Sequence, residues 1–109
     1  MGKRGAKLIS EIQKKVATGE WLYTKHAADR VIERNIWSRE VEETVSTGEI
    51  IEDYPQDKYG PSCLIFGRTA AGRILHVQIS YPSPDEQVKV ITVYEPDPHE
   101  WKEGFRERR

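Results

Sequence analysis

The sequence predicts one α+β domain, spanning residues 1–109, in which N-terminal helices pack on one face of a small antiparallel sheet of three to four strands. Two observations predict it. Apolar residues recur at helical spacing as far as Gly48, and beyond that residue they alternate with a period of two. With 109 residues, 37% of them hydrophobic and 32% charged, the chain can form one modest core and is too short for two.

Three helices are predicted before the sheet. The first lies in "AKLISEIQKKVATG" and ends at Gly19, because glycine readily adopts the conformation that terminates a helix. The second begins after Thr24, whose hydroxyl can cap it, and runs to about Arg34. The third begins at a Ser38 cap and ends at Gly48. The residues that give the first helix its apolar spacing are Leu8, Ile9, Ile12 and Val16.

Four strands are predicted after the helices, in "EIIEDY", "SCLIFGRT", "RILHVQIS" and "VKVITVYE". The segment "WLY" is predicted to be a short extended link, and "PDPHEWKEGFRERR" is predicted to carry a last short helix. Alternation divides the strand residues between two faces. The set predicted to pack on the helices is Leu64, Phe66, Leu75, Val77, Ile79, Val88 and Val90. The mixed set, predicted to lie on a partly covered face, is Cys63, Ile65, Ile74, His76, Gln78, Ile91 and Val93.

The composition argues against several classes of protein. A formal net charge of -1 leaves no global basic field of the kind typical of nucleic-acid binders. Cys63 is the only cysteine, which excludes an intrachain disulfide, and three scattered histidines predict no metal site or cofactor. No segment approaches the ~20 apolar residues of a membrane span, and the start lacks the apolar region of a signal peptide. A cytoplasmic protein with no membrane partner is therefore expected.

The segment "YTKHAADRVIERNI", residues 23–36, carries the strongest candidate site. At about 100° per residue, His26, Arg30 and Arg34 project from one flank of the predicted helix, beside its apolar stripe. When RNA is cleaved by its own 2′-hydroxyl, a neutral imidazole can exchange the proton and guanidinium groups can bind the phosphate oxygens. Alternatively the flank is only a solvated helix face, and spacing alone favours this simpler interpretation.

Further candidates lie on the predicted strands. A two-residue loop in "TAAG" would make Arg68 and Arg73 cross-strand neighbours, either as a phosphate clamp or as two side chains splayed into water. His76 is predicted to be a semi-buried structural histidine. Tyr94 can donate to a phosphate or stack on a base, although a core tyrosine with a wet hydroxyl is the more common case. Cys63 is predicted to pack in the core rather than to act as a nucleophile.

From Tyr23 to Arg109 the chain resembles a bacterial family catalogued as a domain of unknown function, number 4258. The segments that carry the resemblance are "KHAADRVIERNI", "GEIIEDYPQDKYGPSCLIFGRT", "GRILHV" and "KVITVYEPDPHEW". The family is in turn similar to the BrnT and RelE-type ribonuclease toxins, which place helices against a small antiparallel sheet. Such toxins are frequently basic, whereas this chain is close to neutral. Near-neutrality suits either an enzyme that relies on the ribosome to position its substrate or a protein that is not a nuclease.

The resemblance implies a metal-independent endoribonuclease, the toxin component of a type II toxin–antitoxin system. Its implied partners are RNA, free or on the ribosome, and a small zinc-finger or DNA-binding antitoxin. The residues implied in catalysis are His26, Arg30, Arg34, Arg73 and Tyr94. The residues expected to bind RNA phosphates are Lys25, Arg68 and Arg106. The alternative is a non-catalytic protein- or RNA-binding module, for which Trp21, Trp37 and Trp101 offer anchors.

Overall fold

The computed structural model describes residues 3–58 and 60–109. The first two residues of the predicted basic start, and Tyr59 in the predicted turn before the second strand, lie outside the described residues. The elements are α1 (Lys3–Ala17), β1 (Trp21–Tyr23), α2 (Lys25–Glu33), α3 (Ser38–Ser46), β2 (Glu49–Tyr54), β3 (Ser62–Arg68), β4 (Ile74–Ser80) and β5 (Val88–Tyr94). The predicted α+β class is confirmed, and the predicted order of helices before strands holds except for β1, which lies between α1 and α2.

The sheet is five-stranded and mixed, in the order β1-β5-β4-β3-β2, so the predicted three to four antiparallel strands are wrong. The additional strand is β1, which was expected to be a link and which pairs parallel to β5. The backbone N–H of Val88 donates to Glu20 O at 3.1 Å, and that of Thr24 donates to Val90 O at 3.0 Å. A three-residue edge strand is too short to show a period in the sequence, so its strand pairing could not be inferred from alternation.

One face of the sheet, the helix face, forms the core with the three helices. In β3, Cys63 and Ile65 lie on the helix face, whereas Leu64 and Phe66 lie on the opposite face, called here the second face. The sequence predicted the reverse for both pairs, and that prediction is wrong. Alternation divides the residues of a strand into two sets but does not show which set faces the helices. That depends on the register with the neighbouring strands, and a shift of one residue exchanges the two faces. Val93 also moves to the helix face, because a bulge separates the pairs Gln78↔Thr92 and Ile79↔Val90. The helix-face residues of β3 to β5 are Cys63, Ile65, Leu75, Val77, Ile79, Val88, Val90 and Val93.

Helix α2 begins and ends as the sequence predicts. The Thr24 hydroxyl accepts from the backbone N–H of Ala27 at 3.2 Å and caps the start. At the end Asn35 adopts a positive φ of 56°, its N–H donates to Ile32 O, and the N–H of Ile36 donates to Val31 O. This pair of bonds is the Schellman motif, in which an asparagine takes the place that glycine usually occupies.

Helix α3 begins one residue earlier than predicted, because Trp37 and not Ser38 is its N-cap. The Glu40 carboxylate accepts from the backbone N–H of Trp37 at 3.0 Å, while the Ser38 hydroxyl bonds to Tyr23 Oη at 3.1 Å. The helix approaches strand β3 very closely. A Cβ added at Gly67 would lie 2.2 Å from the Thr44 carbonyl oxygen, so α3 can pack at this distance only because residue 67 has no side chain.

The hairpin between β3 and β4 has a longer loop than predicted. Arg68 pairs with Ile74, and Thr69 N donates to Arg73 O at 2.9 Å. Arg68 and Arg73 are therefore not cross-strand neighbours, and the predicted two-residue loop, with the pairing that it implied, is wrong. Gly72, with a φ of 91°, closes the loop and adds the residue that shifts the register.

The C-terminal segment, residues 96–109 (the tail), contains no helix, and the predicted last short helix is wrong. It forms a turn and a small loop closed by an antiparallel bridge between Trp101 and Arg108. Two prolines and Gly104 interrupt any helix here, since proline lacks the donor N–H and Gly104 has a φ of 89°. The tail lies against the second face of the sheet and buries Trp101 completely.

Candidate functional site

A groove of about 610 Å³ lies between the N-terminus of α2 and strands β4 and β5. Its lining residues are Thr24, Lys25, His26, Ser80, Lys89 and Ile91. The first three come from the start of α2, and the others come from β4 and β5. Two of the predicted site residues, Lys25 and His26, are thus brought together in one concave surface.

Thr24 fixes the helix to the strand that forms the other wall of the groove. Its hydroxyl caps α2 and also donates to Ile91 O at 3.4 Å. Its backbone N–H donates to Val90 O, which continues the parallel ladder by one bond beyond Tyr23. The position of His26, two residues into the helix, is therefore set relative to β5 by three contacts of one residue.

The groove is cationic. The charges come from Lys25 and Lys89, which are exposed together with His26, and within residues 3–58 and 60–109 no acidic side chain bonds to any of the three. Ser80 accepts a hydrogen bond at its hydroxyl from the backbone N–H of Lys89 at 2.9 Å, so its own hydroxyl hydrogen remains available. An anion with an apolar part fits such a surface, because Ile91 and the lysine stems supply apolar contact beside the charges.

The other two residues of the predicted flank do not reach the groove. Arg30 is bound by Glu33 through both carboxylate oxygens, at 2.7 and 2.9 Å. Arg34 lies at the far end of α2, where its Nη1 donates to Val93 O at 2.6 Å. The Val93 carbonyl lies beyond the part of β5 that pairs with β1, so the Arg34 side chain supplies its hydrogen-bond donor. The cleft around Arg34 is lined by Tyr94 and by three acidic residues, Glu95, Asp97 and Glu100, and these three carboxylates oppose binding of a phosphate.

Arg73 serves as a connector between elements. Its guanidinium donates to the carbonyls of Asn35 (2.9 Å) and Arg34 (3.1 Å), and to the carboxylates of Glu40 (3.2 Å) and Glu95 (2.7 Å). It thereby binds the C-terminal carbonyls of α2, the first turn of α3 and the end of β5. Hydrogen bonding to Glu95 is the main cause that raises the pKa of Arg73. A guanidinium with its donors engaged in this way has little capacity left for a phosphate.

Tyr94 belongs to a buried network under the tail. Its hydroxyl lies 3.2 Å from His76 Nδ1, and His76 Nε2 lies 2.8 Å from the Phe105 carbonyl oxygen. A carbonyl can only accept, so Nε2 carries the proton and Nδ1 accepts from Tyr94. Burial lowers the pKa of His76, which is fully buried and edge-on to Trp101 at 4.4 Å. The predicted structural role of His76 fits this placement.

The arginines of the tail are also engaged. Arg106 pairs with Glu49 and lies over the Phe66 ring at 4.3 Å, and Arg108 binds Glu52 at 2.9 Å. Arg68 is exposed at the hairpin, and in the described part of the chain it has no ion-pair partner. Of the three residues expected to bind RNA phosphates, Lys25 and Arg68 are accessible and Arg106 is held by the fold.

Two further predictions concern chemistry away from the groove. Cys63 is buried, and burial raises the pKa of its thiol to about 12, as expected for a core residue. Among the described residues, no three His, Cys, Asp or Glu side chains form a group that could hold a metal ion. No helix among those residues has the length and apolar character that crossing a membrane requires.

Sequence reasoning missed Lys89 and Ser80. Both lie on strands, in "VKV" and "QIS", and nothing in those segments indicates a site. They join the groove only because β1 and the start of α2 pack against β5, a pairing that alternation does not reveal. The sequence indicates only that Lys89 faces away from the core, because it alternates with Val88 and Val90, and not what it faces instead.

Comparison with known proteins gives one family. A family model described as "Domain of unknown function (DUF4258)" matches residues 23–95, which include both walls of the groove and end before the tail. Searches of curated proteins and of solved structures gave no match.

Proposed function

The chain belongs to the DUF4258 family, and on that premise we propose that it is a metal-independent endoribonuclease, the toxin component of a type II toxin–antitoxin system. The reaction is placed in the groove at the start of α2. The observation that carries the proposal is an exposed histidine, His26, flanked in one concave surface by two lysines without acidic partners among the described residues. The resemblance to BrnT and RelE-type toxins adds support, since those folds also set helices against a small sheet.

The chemistry needs only groups that this groove contains. His26 accepts the proton of the 2′-hydroxyl, the 2′-oxygen attacks the adjacent phosphorus, and the bond from phosphorus to the 5′-oxygen breaks. The leaving oxygen takes a proton from an ammonium group or from water. The products are a 2′,3′-cyclic phosphate and a 5′-hydroxyl end. Lys25 stabilises the negative charge that builds up on the phosphorane oxygens.

The arginines are assigned more limited roles. Arg30 lies one helical turn beyond His26 and can contact a phosphate if its exposed ion pair with Glu33 opens, which costs little because such pairs are weak. Arg34, Arg73 and Tyr94, implied in catalysis by the family resemblance, are proposed here to hold the site in place. Arg68, exposed at the hairpin, remains a candidate for a more distant phosphate.

The decisive experiment is RNA cleavage by the purified protein and by a His26→Ala variant. The substrates are free RNA and translating ribosomes, and the measured products are 2′,3′-cyclic phosphate ends. We expect the rate to fall by about 10²- to 10⁴-fold, the range typical of losing a general acid–base group. His99→Ala is the matched control, because His99 is exposed on the tail and removed from the groove. Wild-type cleavage by the His26→Ala variant rules out this site.

The proposed partner is an antitoxin, a small zinc-finger or DNA-binding protein that covers the groove with acidic residues. Expression of the chain alone should arrest growth, and coexpression with the protein encoded next to it should restore growth. The proposed location is the cytoplasm, where both RNA and the antitoxin are present.

A non-catalytic binding module is the second candidate, and exposed apolar side chains favour it. Ile32 is 80% exposed and Trp37 is 63% exposed, although both are large and hydrophobic. Exposed aromatic residues of this kind often anchor protein interfaces. If this candidate holds, Trp37→Ser abolishes capture of the partner while His26→Ala leaves it unchanged, and neither protein cleaves RNA.

A further inference from the structure

Lys89 lies on the second face of the sheet, opposite the helices. Its neighbours along β5, Val88 and Val90, are both completely buried on the helix face, so the side chain of Lys89 must point the other way. Across the parallel ladder it pairs with Leu22, which is also exposed. The contacts of the tail with this face lie farther along the sheet, at His76 and Phe66.

The backbone of Lys89 is fixed while its ammonium group is not. The backbone N–H of Lys89 donates to Ser80 Oγ at 2.9 Å, and its strand, β5, lies between β1 and β4 in the sheet. In the described segments 3–58 and 60–109, the side chain forms no ion pair with a carboxylate. By contrast Lys15, another lysine close to the sheet, is bound by the carbonyls of Ser83 (2.9 Å) and Glu86 (2.7 Å).

The relation between Lys89 and His26 is also fixed. Thr24 bonds through its backbone to Val90 and through its hydroxyl to Ile91, the two residues that follow Lys89. The same hydroxyl caps the helix that carries His26. The backbones of the two residues, one in a helix and one in a strand, are thus held in a fixed relation, as a site needs in order to bring a cation beside an acid–base residue.

We infer that Lys89 supplies the second phosphate contact of the groove, in the place that the sequence suggested for Arg34 and Arg73. A bound RNA strand then runs between the start of α2 and the exposed face of β5 and β1, past Leu22. The inference rests on the proposed function for its ligand, RNA, but it does not depend on cleavage.

The test is binding of a single-stranded oligonucleotide in which every ribose is 2′-O-methylated, so that it cannot be cut. Fluorescence anisotropy measures its affinity over a series of salt concentrations. For single strands the slope of log K against log salt is roughly -0.7 per neutralised phosphate. Lys89→Ala should therefore make the slope shallower by roughly 0.7 and weaken binding about tenfold. Lys89→Arg should restore the slope, since the charge is kept.

The control is Lys7→Ala, which removes the same charge from an exposed position on α1, on the other side of the sheet. It should leave the slope unchanged. The inference is overturned if Lys89→Ala has the wild-type slope, or if the wild-type protein does not bind the oligonucleotide at low salt. If binding depends on Lys89 and unmodified RNA stays intact, the inference holds and the proposed nuclease activity fails.

Discussion

The Nη2 atom of Arg73 donates to the main-chain carbonyl of Arg34 at 3.1 Å. Two arginines that the family resemblance implies in catalysis are thus bonded to each other through a carbonyl at the end of α2. The adjacent carbonyl, that of Asn35, accepts from Nη1 of the same guanidinium. A cation at this position complements the partial negative charge of a helix C-terminus. The contact explains why α2 and the β3–β4 hairpin keep a fixed relation.

Replacement of Arg73 should destabilise the fold although its side chain is partly exposed. Arg73→Met keeps the apolar stem and removes all donors, so the carbonyls of α2 and the Glu40 carboxylate lose their partner. We expect a loss of about 1–3 kcal/mol in the free energy of unfolding, measured by urea denaturation. Arg68→Met is the matched control, and it should change stability by no more than about 0.5 kcal/mol. Equal stability of the two variants would contradict the connector role of Arg73.

Gly67→Ala should also be destabilising, for a steric reason. The added methyl group would meet the Thr44 carbonyl oxygen at 2.2 Å and the Thr44 methyl group at 2.9 Å. Helix α3 must then move away from β3, and overpacking of this kind costs about 1–3 kcal/mol. Thermal unfolding followed by circular dichroism measures the loss. Removal of the Thr44 methyl group by Thr44→Ser should not rescue the variant, since the backbone oxygen is the nearer obstacle.

Stability should decline as the pH falls below about 6.5, the unperturbed value for histidine. Burial lowers the pKa of His76 in the folded protein, so below that pH the unfolded chain takes up a proton that the folded chain resists. The groups around the ring are Tyr94, Phe66, Trp101, the Phe105 carbonyl and, at longer range, Glu52 and Arg108. Urea titrations between pH 5 and 7 should show this decline in the wild type and in His99→Gln. The decline should be smaller in His76→Gln, and an identical pH dependence in all three would be contrary to expectation.

Cys63 should not react with a thiol reagent in the native protein. The side chain is completely buried, and burial raises the pKa of the thiol to about 12, so almost no thiolate forms near neutral pH. Modification by an aromatic disulfide reagent should follow global unfolding and accelerate with added urea. Rapid stoichiometric labelling without denaturant would show that β3 opens locally.

The sequence predicted what depends on neighbouring residues. Thr24 as a cap and an end of α2 near Arg34 both follow from local hydrogen bonding, and in the structure Thr24 is the N-cap and Arg34 the C-cap. The burial of Cys63 also followed from an apolar run. The face assignment of β3 failed because it depends on pairing between distant strands, and one residue of register decides it.

The site was predictable only in part for the same reason. His26 and Lys25 lie on one helix turn, so their proximity follows from helical geometry. Lys89 reaches them through the parallel pairing of β1 with β5, which joins residues that are far apart in the chain. Arg34 and Arg73 looked like ligands because their partners, backbone carbonyls, carry no signal in a sequence.

The pairing of β1 with β5 has a consequence for the order in which the protein can be completed during synthesis. Strand β1 is made well before the strand beside which it lies, Val88–Tyr94, because the two are far apart in the chain. Because both walls of the groove depend on this contact, the nascent chain cannot assemble the groove before Val88–Tyr94 has emerged from the ribosome. The groove would therefore stay unformed, whatever binds there, until strand β5 had been translated.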